Sequence, residues 1–225
     1  MKKCSIFFAC MCLLLSGCGT AAAAPAPEPA VRTGQAAMPL YYRMAENAGD
    51  LAACSDVIME FTVSETKCFA ADDKVYTAVT PEILSVSKGG WQNETIYTSG
   101  GEMNFQEFYD AATSDMRSYL SGYSAEERKN GTYWYTKEGC IPVQPGERYL
   151  FFGSYLKSGD YAGQLIPLFE VDGFFACDDD TVYLDREMFN EPLRDSLSQQ
   201  FGTPEKDTDT QIALAKQALL DAVTG

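Results

Sequence analysis

The sequence predicts a mainly β, mixed α+β domain whose strands close, or partly close, into a small barrel. The first observation is the segment 74–101, which is predicted to form a long strand, a glycine turn at Gly89–Gly90 and a second, shorter strand. β-branched, aromatic and aliphatic residues dominate this segment, as they do in half-buried strands. The second observation is Pro81, which cannot donate to a ladder and should bend or bulge the long strand. A bent hairpin fits a small curled barrel better than a flat sheet.

The bend at Pro81 also decides which side chains we expect in the core. Before it, odd-numbered residues such as Val79 share one face, whereas Leu84 and Val86 beyond it are even-numbered. A bulge near Thr80–Pro81 would insert one residue and reset this alternation, so that Leu84 and Val86 reach the core. The alternative is two separate strands joined by a loop at Pro81, which would form a sandwich.

Residues 1–17 have the features of a secretory signal. Lys2 and Lys3 give a basic start, and residues 6–15 form an apolar run too short to span a bilayer. The run ends in Leu-Ser-Gly-Cys, which resembles the bacterial lipobox. The resemblance implies that Cys18 is lipidated and anchors the mature chain to the outer face of the cytoplasmic membrane. The alternative is an ordinary cleaved signal with an incidental cysteine.

The rest of the chain divides into a tether, a domain and a tail. Residues 18–37 are rich in alanine and proline without a helical or strand period, which predicts a semi-stiff tether. Residues 38–203 would form the barrel domain, and residues 204–225 a C-terminal segment with a helix over 208–223.

Within the domain, hydrophobic periodicity predicts the following elements. A helix is expected over 39–53 and a strand over 55–64. A helix capped by Asn104 is expected to end near Leu120, and a short second helix starts with capping-box spacing from Ser124 to Glu127. The remaining strands are expected at 148–155, at 165–171 and 174–176 as a hairpin around Asp172–Gly173, and at 181–184.

This order of elements, with a helix between the third and fourth strands, is that of an OB-type barrel. Five motifs, SDVIMEFTV, YTAVTPEILSVSKGG, IYTSGG, QPGERYLFFGSYL and GQ…VDG, resemble secreted bacterial domains related to the netrin/TIMP-like OB fold. The resemblance covers residues 56–184 and implies a fold, but no catalytic residue. The inhibitor branch of that family uses a free N-terminal cysteine, whereas Cys18 would be acylated here, so we do not expect protease inhibition.

Composition excludes several classes of function. The net charge is −15, and about −17 once Lys2 and Lys3 leave with the signal, which disfavours binding to nucleic acid or to anionic lipid. The chain has no histidine, so no histidine base or Ser-His-Asp arrangement is possible, and no phosphate-binding glycine motif follows a strand. We therefore expect a non-catalytic module; the alternative is a cell-envelope hydrolase that acts through two carboxylates.

Three further groups are candidate site residues. If Cys18 is acylated, Cys54, Cys68, Cys140 and Cys177 remain for one or two disulfides or as buried free thiols. Their spacing matches no zinc motif, and we expect no metal or other cofactor. Asp178–Asp180 lacks the alternation of a calcium loop and is expected to be solvated. The aromatic residues Trp91, Tyr133, Trp134 and Tyr135 could contact a cell-envelope protein or glycan if exposed, but buried strand positions are the commoner outcome.

Overall fold

The fold is mixed α+β, with one large sheet, a smaller three-stranded sheet and a C-terminal helix. The computed structural model describes residues 31–33, 45–91, 95–135, 143–158, 162–168, 173–188 and 190–225. The strands are β1 (Val31–Thr33), β2 (Val57–Ala71), β3 (Lys74–Lys88), β4 (Ile96–Ser99), β5 (Gly101–Asn104), β6 (Thr132–Tyr135), β7 (Arg148–Tyr155), β8 (Leu165–Pro167), β9 (Phe174–Cys177), β10 (Thr181–Asp185) and β11 (Gln211–Ala215). The helices are α1 (Ala48–Cys54), α2 (Phe105–Ala111), α3 (Ser114–Tyr119), α4 (Ala125–Asn130), α5 (Glu191–Phe201) and α6 (Lys216–Thr224).

The long hairpin β2–β3 lies in the middle of the large sheet, where β2 pairs with β7 and β3 with β4. Its two strands pair from Ile58–Lys88 to Ala71–Lys74 across a two-residue turn. Both turn residues, Asp72 and Asp73, have positive φ (51° and 60°), a conformation that aspartate tolerates better than most residues and that matches the twist of a two-residue hairpin.

The prediction of one continuous strand through Pro81 is confirmed, but the prediction of where the alternation resets is wrong. The bulge next to Pro81 is on β2 and not on β3: Ser64 is the unpaired extra residue. The alternation of β3 is therefore unbroken at Pro81, and its odd-numbered residues continue to face the core. The alternation resets later, where Leu84 is the extra residue. Leu84 (49% exposed) and Val86 (42% exposed) do not enter the core.

Five strands of the large sheet pair in a ring. β2 pairs with β3 and β3 with β4, both antiparallel, and β4 then pairs in parallel with β8 through Ile96 and Leu165. β8 pairs antiparallel with β7, and β7 returns to β2. One buried cluster draws on the inward residues of these strands and centres on Phe61, whose ring lies 5.9–6.3 Å from those of Tyr149, Phe151 and Phe174.

β8 and β9 do not form the hairpin predicted around Asp172–Gly173. Both strands pair with the same edge of β7, β9 with its first half and β8 with its second half. Gly173 lies between them, and its carbonyl accepts a hydrogen bond from the amide of Phe152. A Cβ at Gly173 would lie 2.4 Å from the Cβ of Pro167, so the close approach explains the glycine. Asp172 lies outside the described residues.

The sheet continues from β9 through β10 to β11, and α1, α5 and α6 pack on this part. The prediction of a C-terminal helix over 208–223 is correct only for its second half. Residues 211–215 form the strand β11, and the helix begins at Lys216. α5 was not predicted. Of the helix predicted over 39–53, the described part starts at Ala48, where Asn47 caps it.

The tip of the hairpin packs on a separate helical layer. Another buried cluster lies between this layer, formed by α2, α3 and α4, and the sheet β1–β6–β5. It includes Val75, Phe105, Phe108 and Tyr133. The single helix predicted from Asn104 to Leu120 is interrupted, because α2 ends at Ala111 and Thr113 caps a new helix, α3. The capping box of Ser124 and Glu127 is confirmed at α4.

The start of the domain differs from the prediction in one respect. Val31–Thr33, within the predicted tether, pairs in parallel with β6. The signal, Cys18 and the rest of that tether lie outside the described residues.

Candidate functional site

A row of aromatic residues lies on the outer face of β2, β3 and β4. On the hairpin tip, Val75 and Thr77 point to the core, so their neighbours on the strand point the opposite way. The two-residue turn fixes the register that places Phe69 opposite Tyr76. In β4, Tyr97 is opposite Ala78 and therefore on the same outer face. We call Phe69, Tyr76 and Tyr97 the aromatic face.

The ring of Phe69 contacts the two other rings of the aromatic face. Phe69 and Tyr76 stack with their centroids 5.8 Å apart and their planes at 24°. Phe69 and Tyr97 meet edge to face at 6.1 Å and 90°. All three side chains are only partly buried, so they offer apolar ring surface beside polar phenol groups.

Two exposed lysines flank the aromatic face. Lys67 lies opposite Ala78 and Lys74 opposite Ala71 in the ladder, which places both on the same face as Phe69 and Tyr76. The chain has a net charge of −15, and these two ammonium groups place positive charge beside the aromatic face. Their N–H groups can donate to hydroxyl, carbonyl or carboxylate oxygens of a ligand that covers the rings.

The aromatic face is not predicted from the sequence, because the first predicted strand ends near Val63. The next four residues, Ser64 to Lys67, are all polar, so the sequence pattern does not indicate that β2 continues to Ala71. The signal that could have found it is the pair Asp72–Asp73: a two-residue turn there predicts that Phe69 faces Tyr76.

The aromatic residues that the sequence analysis singled out are mostly interior. Tyr133 and Tyr135 are buried under α2, where the ring of Tyr133 stacks on Phe108 with centroids 3.5 Å apart. Trp134 and Trp91 are partly buried. Trp91 packs against the cluster around Phe61, whereas Tyr133 and Tyr135 belong to the cluster at α2, so these residues do not form one surface.

A buried charge cluster joins four distant parts of the chain. The carboxylate of Glu60 on β2 accepts hydrogen bonds from the Arg148 guanidinium, from the Lys216 ammonium at 3.0 Å and from the Cys177 thiol at 3.8 Å. Glu60 and Lys216 are each 6% exposed. Lys216 is the first residue of α6 and also donates to the carbonyl of Asp178. The cluster therefore fastens the C-terminal helix to the ring.

The surroundings of this cluster determine the protonation state of the Cys177 thiol. Burial, followed by the charge of Glu60, raises the pKa of the Cys177 thiol to about 12, so the thiol stays neutral and is a poor nucleophile. The Glu60 carboxylate accepts hydrogen bonds from two charged side chains of the protein, Arg148 and Lys216.

The remaining cysteines take no part in a described site. Cys54 is exposed, Cys68 contacts the Thr77 hydroxyl at 3.4 Å, and both carry free thiols, as does Cys177. Cys18 and Cys140 lie outside the described residues, so their lipidation and pairing stay predictions.

Asp178–Asp180 forms the turn between β9 and β10 and contacts neighbouring side chains. Asp179 pairs with Arg148 at 2.6 Å and Asp180 with Lys206 at 2.9 Å. Asp178 accepts bonds from the Tyr183 hydroxyl and from two backbone amides of the turn. Within the described ranges, no group of three or more cysteine, aspartate or glutamate residues is placed to hold a metal ion.

The turn predicts an acid dependence of stability. The hydrogen bond from Tyr183 and those from the turn amides lower the pKa of Asp178 from 3.8 to about 2. Because the folded-state pKa is depressed, this stabilisation is present above pH 4 and is lost as pH falls through about 2. Asp178→Asn should therefore be less stable than wild type at neutral pH, and the difference should vanish near pH 2. Chemical denaturation from pH 2 to 7 measures this, with exposed Glu205→Gln as control; a pH-independent difference would contradict it.

No helix in the described parts of the chain is long and apolar enough to cross a membrane. Comparison of the sequence with models of known protein families and with curated proteins finds no match.

Proposed function

We propose that this protein is a lipid-anchored, non-catalytic binding module on the outer side of a bacterial cytoplasmic membrane, and that its aromatic face binds a cell-envelope glycan. The observation that carries the proposal is the contact among Phe69, Tyr76 and Tyr97 on a partly exposed sheet face, between Lys67 and Lys74. Stacked rings provide surface for the apolar faces of sugar rings, and the lysines provide donors for sugar oxygens.

The strand pairing supports an OB-like barrel as the scaffold. In such a barrel the first three strands are antiparallel, a helix follows the third, and the third strand pairs in parallel with the fifth. β2, β3, β4, β7 and β8 follow this order, with α2, α3 and α4 after the third strand and the parallel pair at Ile96 and Leu165. The aromatic face lies on the strands that many OB folds use for oligosaccharides or oligonucleotides. The strongly negative net charge favours the glycan.

A carboxylate-dependent hydrolase is the less supported alternative. A hydrolase of this kind needs two carboxyl groups that face each other across a substrate. Glu60, Asp179 and Asp180 are each paired with an arginine or lysine instead.

The anchoring part of the proposal predicts the behaviour of one variant. Cys18→Ser should move the protein from the membrane fraction to the aqueous fraction, or leave an uncleaved precursor, because the lipid is the attachment. Fractionation with metabolic labelling by a fatty acid measures this, with exposed Cys54→Ser as the matched cysteine control. Label that persists on the Cys18→Ser protein would contradict the assignment of Cys18.

The binding part of the proposal is tested with labelled fragments of cell-wall glycan and the soluble Cys18→Ser chain. Phe69→Ala and Tyr97→Ala should each weaken binding by about five- to tenfold, since each removes one stacking ring. Tyr119→Ala is the control, because Tyr119 is 76% exposed on α3 and is not one of the three rings of the aromatic face. Unshortened fragments after incubation are expected; shortened fragments would instead support a hydrolase, and equal effects of all three variants would contradict the assigned face.

A further inference from the structure

The second half of β3 is an exposed strand edge. The last β3–β4 pair is Val79–Ile96, and beyond it no other described strand pairs with the edge of β3 that faces away from β2. This part carries Leu84 and Val86, which with Tyr119 are the exposed large hydrophobic residues of the described chain. An exposed edge with apolar side chains is a template for another strand.

Both ends of this edge are defined by residues that stop strand pairing. Pro81 lacks an N–H donor, and Gly89 leaves the strand with a φ of +78°. The usable edge is therefore residues 82–88, with the sequence Glu-Ile-Leu-Ser-Val-Ser-Lys. Ser85 is its midpoint, and Pro81 and Gly89 are equally far from it.

Two copies of this edge are complementary when they are related by a two-fold axis, which makes the two strands antiparallel. In an antiparallel pair centred on Ser85, Glu82 of one copy lies opposite Lys88 of the other, and Leu84 lies opposite Val86. Glu82 and Lys88 pair with Thr62 and Ile58 of β2, which puts both on the sheet face that also carries Glu60. Glu82 of one copy is therefore on the same face as Lys88 of the other, whose ammonium also donates to the Ala52 carbonyl.

We propose that residues 82–88 form an antiparallel strand pair with the same residues of a second copy of this chain. The extra residues Leu84 and Ser87 bulge and twist the edge, which discourages pairing with an arbitrary strand. A second copy has the same twist, and in the register centred on Ser85 its bulged residues Leu84 and Ser87 lie opposite Val86 and Ile83. One strand pair buries less area than a stable soluble dimer needs, but confinement of two anchored chains to one membrane raises their effective concentration.

Cysteine crosslinking of the membrane-anchored full chain tests the proposed register. Across the two-fold axis, Ser85 meets Ser85 at a Cβ separation of about 5 Å, within reach of a disulfide after small adjustment. Ser87 faces Ile83, so two Ser87 residues are about 13 Å apart along the strand. In a Cys54→Ser background, mild oxidation should give at least about tenfold more crosslinked dimer with Ser85→Cys than with Ser87→Cys.

A charge introduced at the edge provides the second test. Leu84→Lys added to Ser85→Cys should abolish the crosslinked dimer, since two lysines would then face the apolar centre of the pair. Tyr119→Lys, which changes the other exposed hydrophobic residue, should leave it unchanged. Equal crosslinking of Ser85→Cys and Ser87→Cys, or no dimer with either, would overturn the proposal. A crosslink from Ser85→Cys to a different protein would overturn it as well and assign the edge to that partner.

Discussion

Replacement of Glu60 by glutamine is expected to lower the free energy of unfolding by about 3–5 kcal/mol, one of the two largest effects that the structure predicts. The change removes the negative charge that neutralises the buried ammonium of Lys216; the glutamine oxygen and the Asp178 carbonyl can accept its hydrogen bonds but do not balance its charge. Arg148 is affected less, because it still pairs with exposed Asp179. Urea or guanidinium denaturation of the soluble Cys18→Ser chain measures the difference.

Two further variants separate the buried charge from other consequences of changing Glu60. Glu65→Gln alters an exposed glutamate on the same strand and should change stability by less than about 0.5 kcal/mol. Lys216→Met in the Glu60→Gln chain removes the uncompensated charge and should recover part of the loss. If Lys216→Met deepens the loss instead, the ion pair is not what fastens α6 to the ring.

Phe61→Ala should destabilise the protein by a similar amount, about 3–5 kcal/mol, through a cavity in the ring core. Phe61 is fully buried and its ring contacts those of Tyr149, Phe151 and Phe174, which come from β7 and β9. The matched control is Phe69→Ala on the same strand, because Phe69 is partly buried on the outer face. Thermal or chemical denaturation should show a clearly smaller loss for Phe69→Ala; equal losses would contradict the assignment of inner and outer faces.

Local patterns predicted those elements whose cause is local. The capping residues Asn104 and Ser124 mark helix starts correctly, because each side chain bonds an amide two or three residues away. The long strand through Pro81 was also predicted, since its β-branched and aliphatic residues are consistent with strand structure on both sides of the proline.

Other elements depend on partners that are distant in sequence. Residues 211–215 have helical spacing, but pairing with β10 makes them a strand, and this partner is visible only in the fold. Likewise, Glu60 and Lys216 are 156 residues apart, so neither sequence neighbourhood indicates the ion pair. Leu84 and Val86 were expected inside because the sequence does not reveal which strand carries a bulge's extra residue.

The most direct test of the proposed binding function is a map of the residues that a glycan contacts. Amide chemical shifts of the soluble Cys18→Ser chain would be followed by NMR during titration with cell-wall glycan fragments. The account predicts that the shifts concentrate on the outer face of β2, β3 and β4, at Lys67, Phe69, Tyr76, Ala78 and Tyr97. Shifts concentrated on α2, α3 and α4 or on the β10–β11 side, or no shifts at any accessible glycan concentration, would contradict it.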